Sequence, residues 1–143
     1  MRQTFSCELF NDKNNVETGL VDDTKMVFVD GDACFFYYEN NIFFTLKGLE
    51  KYNPKEHFVV VDMGAVKFVT NGADVMAPGI VDADEDIGEG EQVWICDERN
   101  RKPLAVGVAI TPGLEMKNGK KGKAITIIHH VGDKLWSYVA KSL

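Results

Sequence analysis

The apolar residues of this chain come in short runs bounded by glycine, asparagine, aspartate or proline. The clearest unbroken runs, Ala33 to Tyr38 and Phe58 to Val61, are the length of a strand. No run approaches the roughly 18 residues that cross a bilayer. Met1-Arg2-Gln3-Thr4 leads into no apolar segment of the kind a signal peptide needs. Cys7, Cys34 and Cys96 are odd in number and far apart, which argues against a disulfide scaffold and for a reducing cytoplasm. A length of 143 residues fits one domain or two small ones.

A break falls at Asn53-Pro54-Lys55-Glu56, because proline cannot continue a helix and biases the residue before it away from helical geometry. We expect an N-terminal α/β domain over residues 1–56 and a second domain over 57–143. In the first, Met26 to Val29 and Ala33 to Tyr38 flank Asp30-Gly31-Asp32, a hairpin signal. Asn40-Asn41 turns the chain into Ile42 to Phe44, and Thr45 caps a helix from Leu46 to Tyr52. Met1 to Gly19 shows no clear opening helix. In the second, Phe58 to Val61 reads as a buried strand, and Asp62 caps a helix from Met63 to Val69 that Asn71-Gly72 ends. Ala73 to Val81 reads as a short strand with a Pro-Gly kink. An acidic loop follows from Asp82 to Gly90, then strands over Gln92 to Cys96, Leu104 to Ile110 and Lys123 to His130. Gly113 to Gly122 is a long lysine-containing connection, and Leu135, Trp136 and Val139 anchor the closing segment. Many short strands with glycine at the corners predict a small barrel. The fold class is therefore α+β.

The chain offers little for catalysis. Gly88-Glu89-Gly90 begins a dinucleotide fingerprint, but Val93 stands at the third glycine and a strand follows. Gly119-Lys120 resembles the end of a Walker loop, yet Leu114 occupies the first glycine position and Lys121 replaces the serine or threonine. Asp82, Asp84 and Asp86 are spaced like a calcium loop, but Ile87 and Val93 occupy its glycine and glutamate positions. His129 and His130 are adjacent, so a strand sends one inward and one outward. Neither joins a zinc spacing. We expect no enzyme activity, no cofactor and no metal.

Charge leaves one candidate. With 16 basic and 22 acidic residues, the net charge of −6 opposes indiscriminate nucleic-acid binding. Residues 1–56 carry 6 basic and 10 acidic groups, and residues 57–143 carry 10 and 12. Lys117, Lys120, Lys121 and Lys123 stand together with no acid among them, either as a solvated loop or as a phosphate contact beside Gly119 and Gly122.

The segment Asp62 to Val69, with Asn71-Gly72-Ala73-Asp74-Val75-Met76-Ala77-Pro78-Gly79-Ile80, resembles the signature of PUA domains. The likeness continues through Pro103 to Gly107, Gly122-Lys123 and His129 to Trp136. Upstream, Phe44 to Leu49 looks like the end of a pre-PUA domain, which points to the translation-associated subfamily that includes the oncoprotein of T-cell malignancy. The resemblance implies a pre-PUA domain followed by a PUA pseudo-barrel that binds structured RNA of tRNA or rRNA type on one face. By position, that face holds Lys67 on the helix, Asn71, Gly72, Ala73 and Asp74 in the glycine loop, then Val75, Met76, Ala77 and Pro78. Lys120, Lys121, Lys123 and Trp136 complete it. Backbone N–H groups at Gly72 and Ala73 could meet phosphates. Each residue also has a simpler reading: Met76, Ile80, Phe68 and Val66 as core, Pro78-Gly79 as a corner, Gly64 and Ala65 as helix packing. The alternative function is an adaptor whose acidic N-terminal domain docks a ribosomal subunit or translation factor.

Overall fold

The structure, a computed structural model, describes residues 15–119 and 121–141. Four antiparallel strands come first: β1 (Val16–Val21), β2 (Thr24–Val29), β3 (Asp32–Tyr38) and β4 (Asn41–Phe44). Each hairpin closes through a two-residue loop of left-handed residues, Asp22-Asp23, Asp30-Gly31 and Glu39-Asn40. These are the mirror-image turns whose twist matches that of the strands. The second lies where Asp30-Gly31 predicts it, the third falls one residue before the expected Asn40-Asn41, and β1 is a strand that the sequence pattern does not mark.

Helix α1 (Leu46–Tyr52) follows. The Thr45 hydroxyl donates to the Ala33 carbonyl (2.6 Å) and accepts the Gly48 N–H (3.0 Å), so one buried side chain caps the helix and ties it to β3. Asn53 ends the helix in the left-handed conformation.

Beyond Pro54 run β5 (Phe58–Val61), α2 (Met63–Thr70), β6 (Val75–Met76), a 3-10 turn (Ala77–Gly79) and β7 (Ile80–Ala83). Then come β8 (Gln92–Asp97), β9 (Pro103–Ala109), α3 (Gly113–Met116), β10 (Lys123–His130) and α4 (Lys134–Lys141). Six of these strands form one sheet in the order β6-β10-β9-β8-β5-β7, with only β5 and β8 parallel. The two ends of that order, β6 and β7, are joined by the single turn Ala77–Gly79, so the sheet curls into a nearly closed barrel. The expected single kinked strand over Ala73 to Val81 is thus two strands on opposite edges. The lysine-containing connection also holds a one-turn helix that sequence reasoning did not find.

Val59, Val61, Val93, Ile95, Ala105 and Ile125 fill the barrel, and Phe35, Phe44, Met26 and Leu49 form a second core around α1. Val106 of β9 belongs to that second core, with Trp94, Ile128, Leu135 and Trp136 packed against it, so the outside of the barrel floors the first sheet. Two polar side chains join the layers. The Gln92 amide accepts the Phe44 N–H (2.9 Å) and donates to the Ile42 carbonyl (3.0 Å). His129, fully buried, accepts the Leu46 N–H at Nε2 (3.2 Å) and faces the Asp133 carboxylate through Nδ1 (2.9 Å). Asp133 also accepts the N–H groups of His130 (2.9 Å) and Trp136 (2.6 Å), starting α4. No helix among the described residues is long and apolar enough to cross a membrane.

Candidate nucleic-acid interface

Helix α2 starts where its sequence says. The Asp62 carboxylate accepts the Ala65 N–H (2.8 Å), and Glu98 from the loop after β8 accepts the Met63 N–H (2.8 Å). The first turn is therefore capped by two acids. Only Val69 is fully buried on this helix, with Ala65 and Val66 partly buried against the barrel core.

Helix α2 also forms one wall of a groove of ≈ 580 Å³, whose far wall is the stretch from Ala73 through β6 to Gly79. The floor brings the helix close to the corner, since a Cβ added to Gly79 would lie 2.9 Å from the Ala65 Cβ. Ile80 and Val66 are core residues as read, and Pro78-Gly79 does turn the barrel corner. Phe68 and Met76 are not core: they are 62% and 49% exposed at the lips of the groove. Phe68 lies off the Val66 and Val69 stripe, the signal that could have separated it from the core.

The glycine loop is organised differently from expectation. The N–H groups of Asn71 and Ala73 donate to the Phe68 carbonyl and that of Gly72 to the Val69 carbonyl, at 3.0–3.1 Å. They close the end of α2 and are not available to phosphates, which corrects the expected role of Gly72 and Ala73. Gly72 has a φ of +87°, and a Cβ there would come within 2.8 Å of His130 Nε2. The left-handed φ calls for glycine, and a larger residue would also have to displace the His130 ring.

Asp74 ties this loop to β10. Its carboxylate accepts the Ile127 N–H (2.9 Å), where the β10–β9 register shifts, and pairs with Lys123 Nζ (2.9 Å). Burial acts to raise the Asp74 carboxyl, but Lys123 and the Ile127 N–H outweigh it and hold the group below the usual aspartate value. Lys123 is opposite Met76 in the β10–β6 register, so Asp74, Met76 and Lys123 meet at one side of the groove.

The remaining candidates scatter. Lys67 is exposed on α2 outside the groove lining, and Ala77 is buried beneath it, while Pro78 and Val75 line it. Lys121 is exposed beyond Gly122, and Lys120 lies outside the described residues. Lys117 turns to the acidic loop, pairing with Asp82 (3.4 Å) and Glu85 (3.9 Å). Trp136 packs against the aromatic core at the seam, not in the groove. His129 and His130 do part to different surroundings, the first fully buried and the second beside Gly72.

The PUA domain family matches residues 57–131. An uncharacterised protein of Methanocaldococcus jannaschii is 49% identical over 131 residues, covering 92% of this chain and 81% of its own length. Translation machinery-associated protein 20 of Saccharomyces cerevisiae is 34% identical over 138 residues, covering 92% and 76%. The crystal structure of a hypothetical protein from Pyrococcus horikoshii has a TM-score of 0.82 at 40% identity, over 92% of this chain and 83% of that one. A more distant likeness is to a chain of an H/ACA ribonucleoprotein bound to a substrate RNA. It is 28% identical with a TM-score of 0.51, over 70% of this chain and 31% of that one. With its barrel, its signature segment and relatives that run almost its whole length, the protein belongs to the PUA domain family.

Proposed function

We propose that this protein acts in translation as a non-catalytic RNA-binding protein of the cytoplasm, taking structured RNA of tRNA or rRNA type on the groove beside α2. One observation carries the reading: Phe68 and Met76 stand exposed at the lips of a largely apolar groove, with Lys123 paired to Asp74 at one side. An apolar groove of this kind suits the flat face of an unstacked base. The backbone of such a strand would run past Lys123 and Lys121 on one side and Lys67 on the other, contacting few phosphates. The yeast relative's name, which associates that protein with the translation machinery, supports the setting, and the ribonucleoprotein likeness supports RNA.

Fluorescence anisotropy with a tRNA and with a hairpin carrying a single-stranded 3′ tail tests this reading. We expect binding at low salt with a shallow salt slope, because each phosphate contact contributes about 0.7–0.9 to the slope. Phe68→Ala weakens binding by about 1–3 kcal/mol, the loss of one stacked base. Lys67→Glu and Lys121→Glu weaken it further while the far-UV spectrum is unchanged. A wild-type protein that ignores every structured RNA, or a Phe68→Ala protein that binds as well as wild type, would sink it.

A further inference from the structure

A second recess lies at the seam between the two sheets and shares no lining residue with the groove. It has a volume of ≈ 480 Å³ and lies between the β3–β4 turn and the segment Gly90 to Gln92, with Val108 of β9 also lining it. Tyr38 forms one wall, 41% exposed and edge-on to Phe43 at 6.1 Å. Glu39 and Glu91 line it, the Glu91 carboxylate accepting the Gly88 N–H and lying 3.8 Å from His57 Nε2, and no lysine or arginine does. The walls are held in place. Glu39 and Asn40 are fixed as a left-handed pair, with the Asn41 side chain donating to the Glu39 carbonyl (3.2 Å). The Gln92 amide clamps β4, the Gly90 N–H donates to the Ala109 carbonyl (2.8 Å) and the Ala109 N–H donates to the Glu91 carbonyl (2.9 Å).

We propose that this crevice receives a lysine or arginine side chain, with an apolar neighbour, from a basic segment of a partner protein. The recess falls within the volume range of ligand sites. An exposed tyrosine ring beside the Glu39 carboxylate attracts a cation by both charge and ring quadrupole. The groove has Lys123 paired to its Asp74, whereas no cation lines the crevice to hold a phosphate backbone, so charge complementarity favours protein over RNA there. Because the walls are already ordered, little further ordering is lost on binding. This surface goes beyond the RNA reading and is independent of it.

The test is a ¹⁵N NMR titration of the whole protein with two blocked peptides, acetyl-Arg-Leu-Arg-Leu-amide and acetyl-Glu-Leu-Glu-Leu-amide, and separately with the tailed RNA hairpin. The expected result is saturable movement of the Glu39, Asn41, Gly90 and Val108 amide signals with the arginine peptide alone. Glu39→Lys weakens that binding at least about tenfold and Tyr38→Ala about threefold. Both variants keep a dispersed spectrum and wild-type RNA affinity, since neither residue lines the groove. Three outcomes overturn the proposal. The arginine peptide leaves these signals unmoved at millimolar concentration, the glutamate peptide moves them equally, or the RNA moves them.

Discussion

Asp74 is an acid on a face read as binding a polyanion, and its geometry reverses the simple electrostatic expectation. Removing its charge should by itself favour RNA. The carboxylate, however, holds Lys123 at the groove and pins the Ile127 N–H where β10 shifts register. Asp74→Asn is therefore expected to weaken RNA binding about two- to fivefold, read by anisotropy at low salt. Lys123→Gln moves affinity the same way and lowers the salt slope by about one. Stronger binding by Asp74→Asn would refute the positioning role. Asp133 yields a prediction in pH. Burial works to raise its carboxyl, but His129 and the N–H groups of Trp136 and His130 prevail and hold it below the ordinary aspartate value of 3.8. A group lowered on folding stabilises the fold above its unfolded pKa and loses that stabilisation as pH falls through the folded value. The thermal midpoint should therefore drop below about pH 4. Asp133→Asn should lower stability by about 1–3 kcal/mol at neutral pH and flatten that drop. Phe68 shows the limit of reading residues from sequence. Its apolarity said core, while its spacing from Val66 and Val69 on the helix pointed away from it.

Two glycines on two helices predict opposite responses to the same change. In α1, a Cβ at Gly48 would sit on the Cys34 carbonyl, a backbone atom that cannot step aside. In α2, a Cβ at Gly64 meets nothing closer than the Asp62 carboxylate at 3.4 Å. Gly48→Ala should cost about 1–3 kcal/mol through overpacking, despite the better helix propensity of alanine. Gly64→Ala should gain about 0.5–1 kcal/mol. Urea denaturation of the two variants decides it, and a stable Gly48→Ala protein would mean α1 lies farther from β3. The elements legible in the sequence are those with local chemistry at both ends. Thr45 and Asp62 start helices, and Asn53 and Gly72 stop them. The missed elements lack such marks. The α3 turn begins after Pro112 with no side-chain cap, and β1 is mostly exposed with Gly19 in its middle. The split between β6 and β7 was invisible because the corner that separates them also joins them. The groove was legible as a segment, but not in its chemistry, because the hydrogen bonds that occupy the glycine-loop N–H groups come from the folded end of α2.

At the scale of the whole molecule, the acid excess and an RNA-binding role are compatible because the faces differ. Acids line both the groove and the seam crevice, but at the groove Asp74 is paired with Lys123, and no lysine or arginine lines the crevice. The seam also makes a statement about cooperativity. Cys34 lies in the first sheet and Cys96 in the second, both buried, and burial pushes each thiol up to about 11. Neither should react with a thiol reagent at neutral pH in the native protein. Because Gln92 and His129 bind the layers together, both should become reactive over the same range of urea, as read by mass spectrometry of the labelled peptides. Cys34 labelling well before Cys96 would show that the layers come apart first. Gln92 also changes how the molecule treats its neighbours. By offering an amide to Phe44 and Ile42, it occupies the edge of β4 where another chain's strand would otherwise pair. A single side chain thus stands in for a fifth strand, and its replacement by leucine would leave a ready template for aggregation.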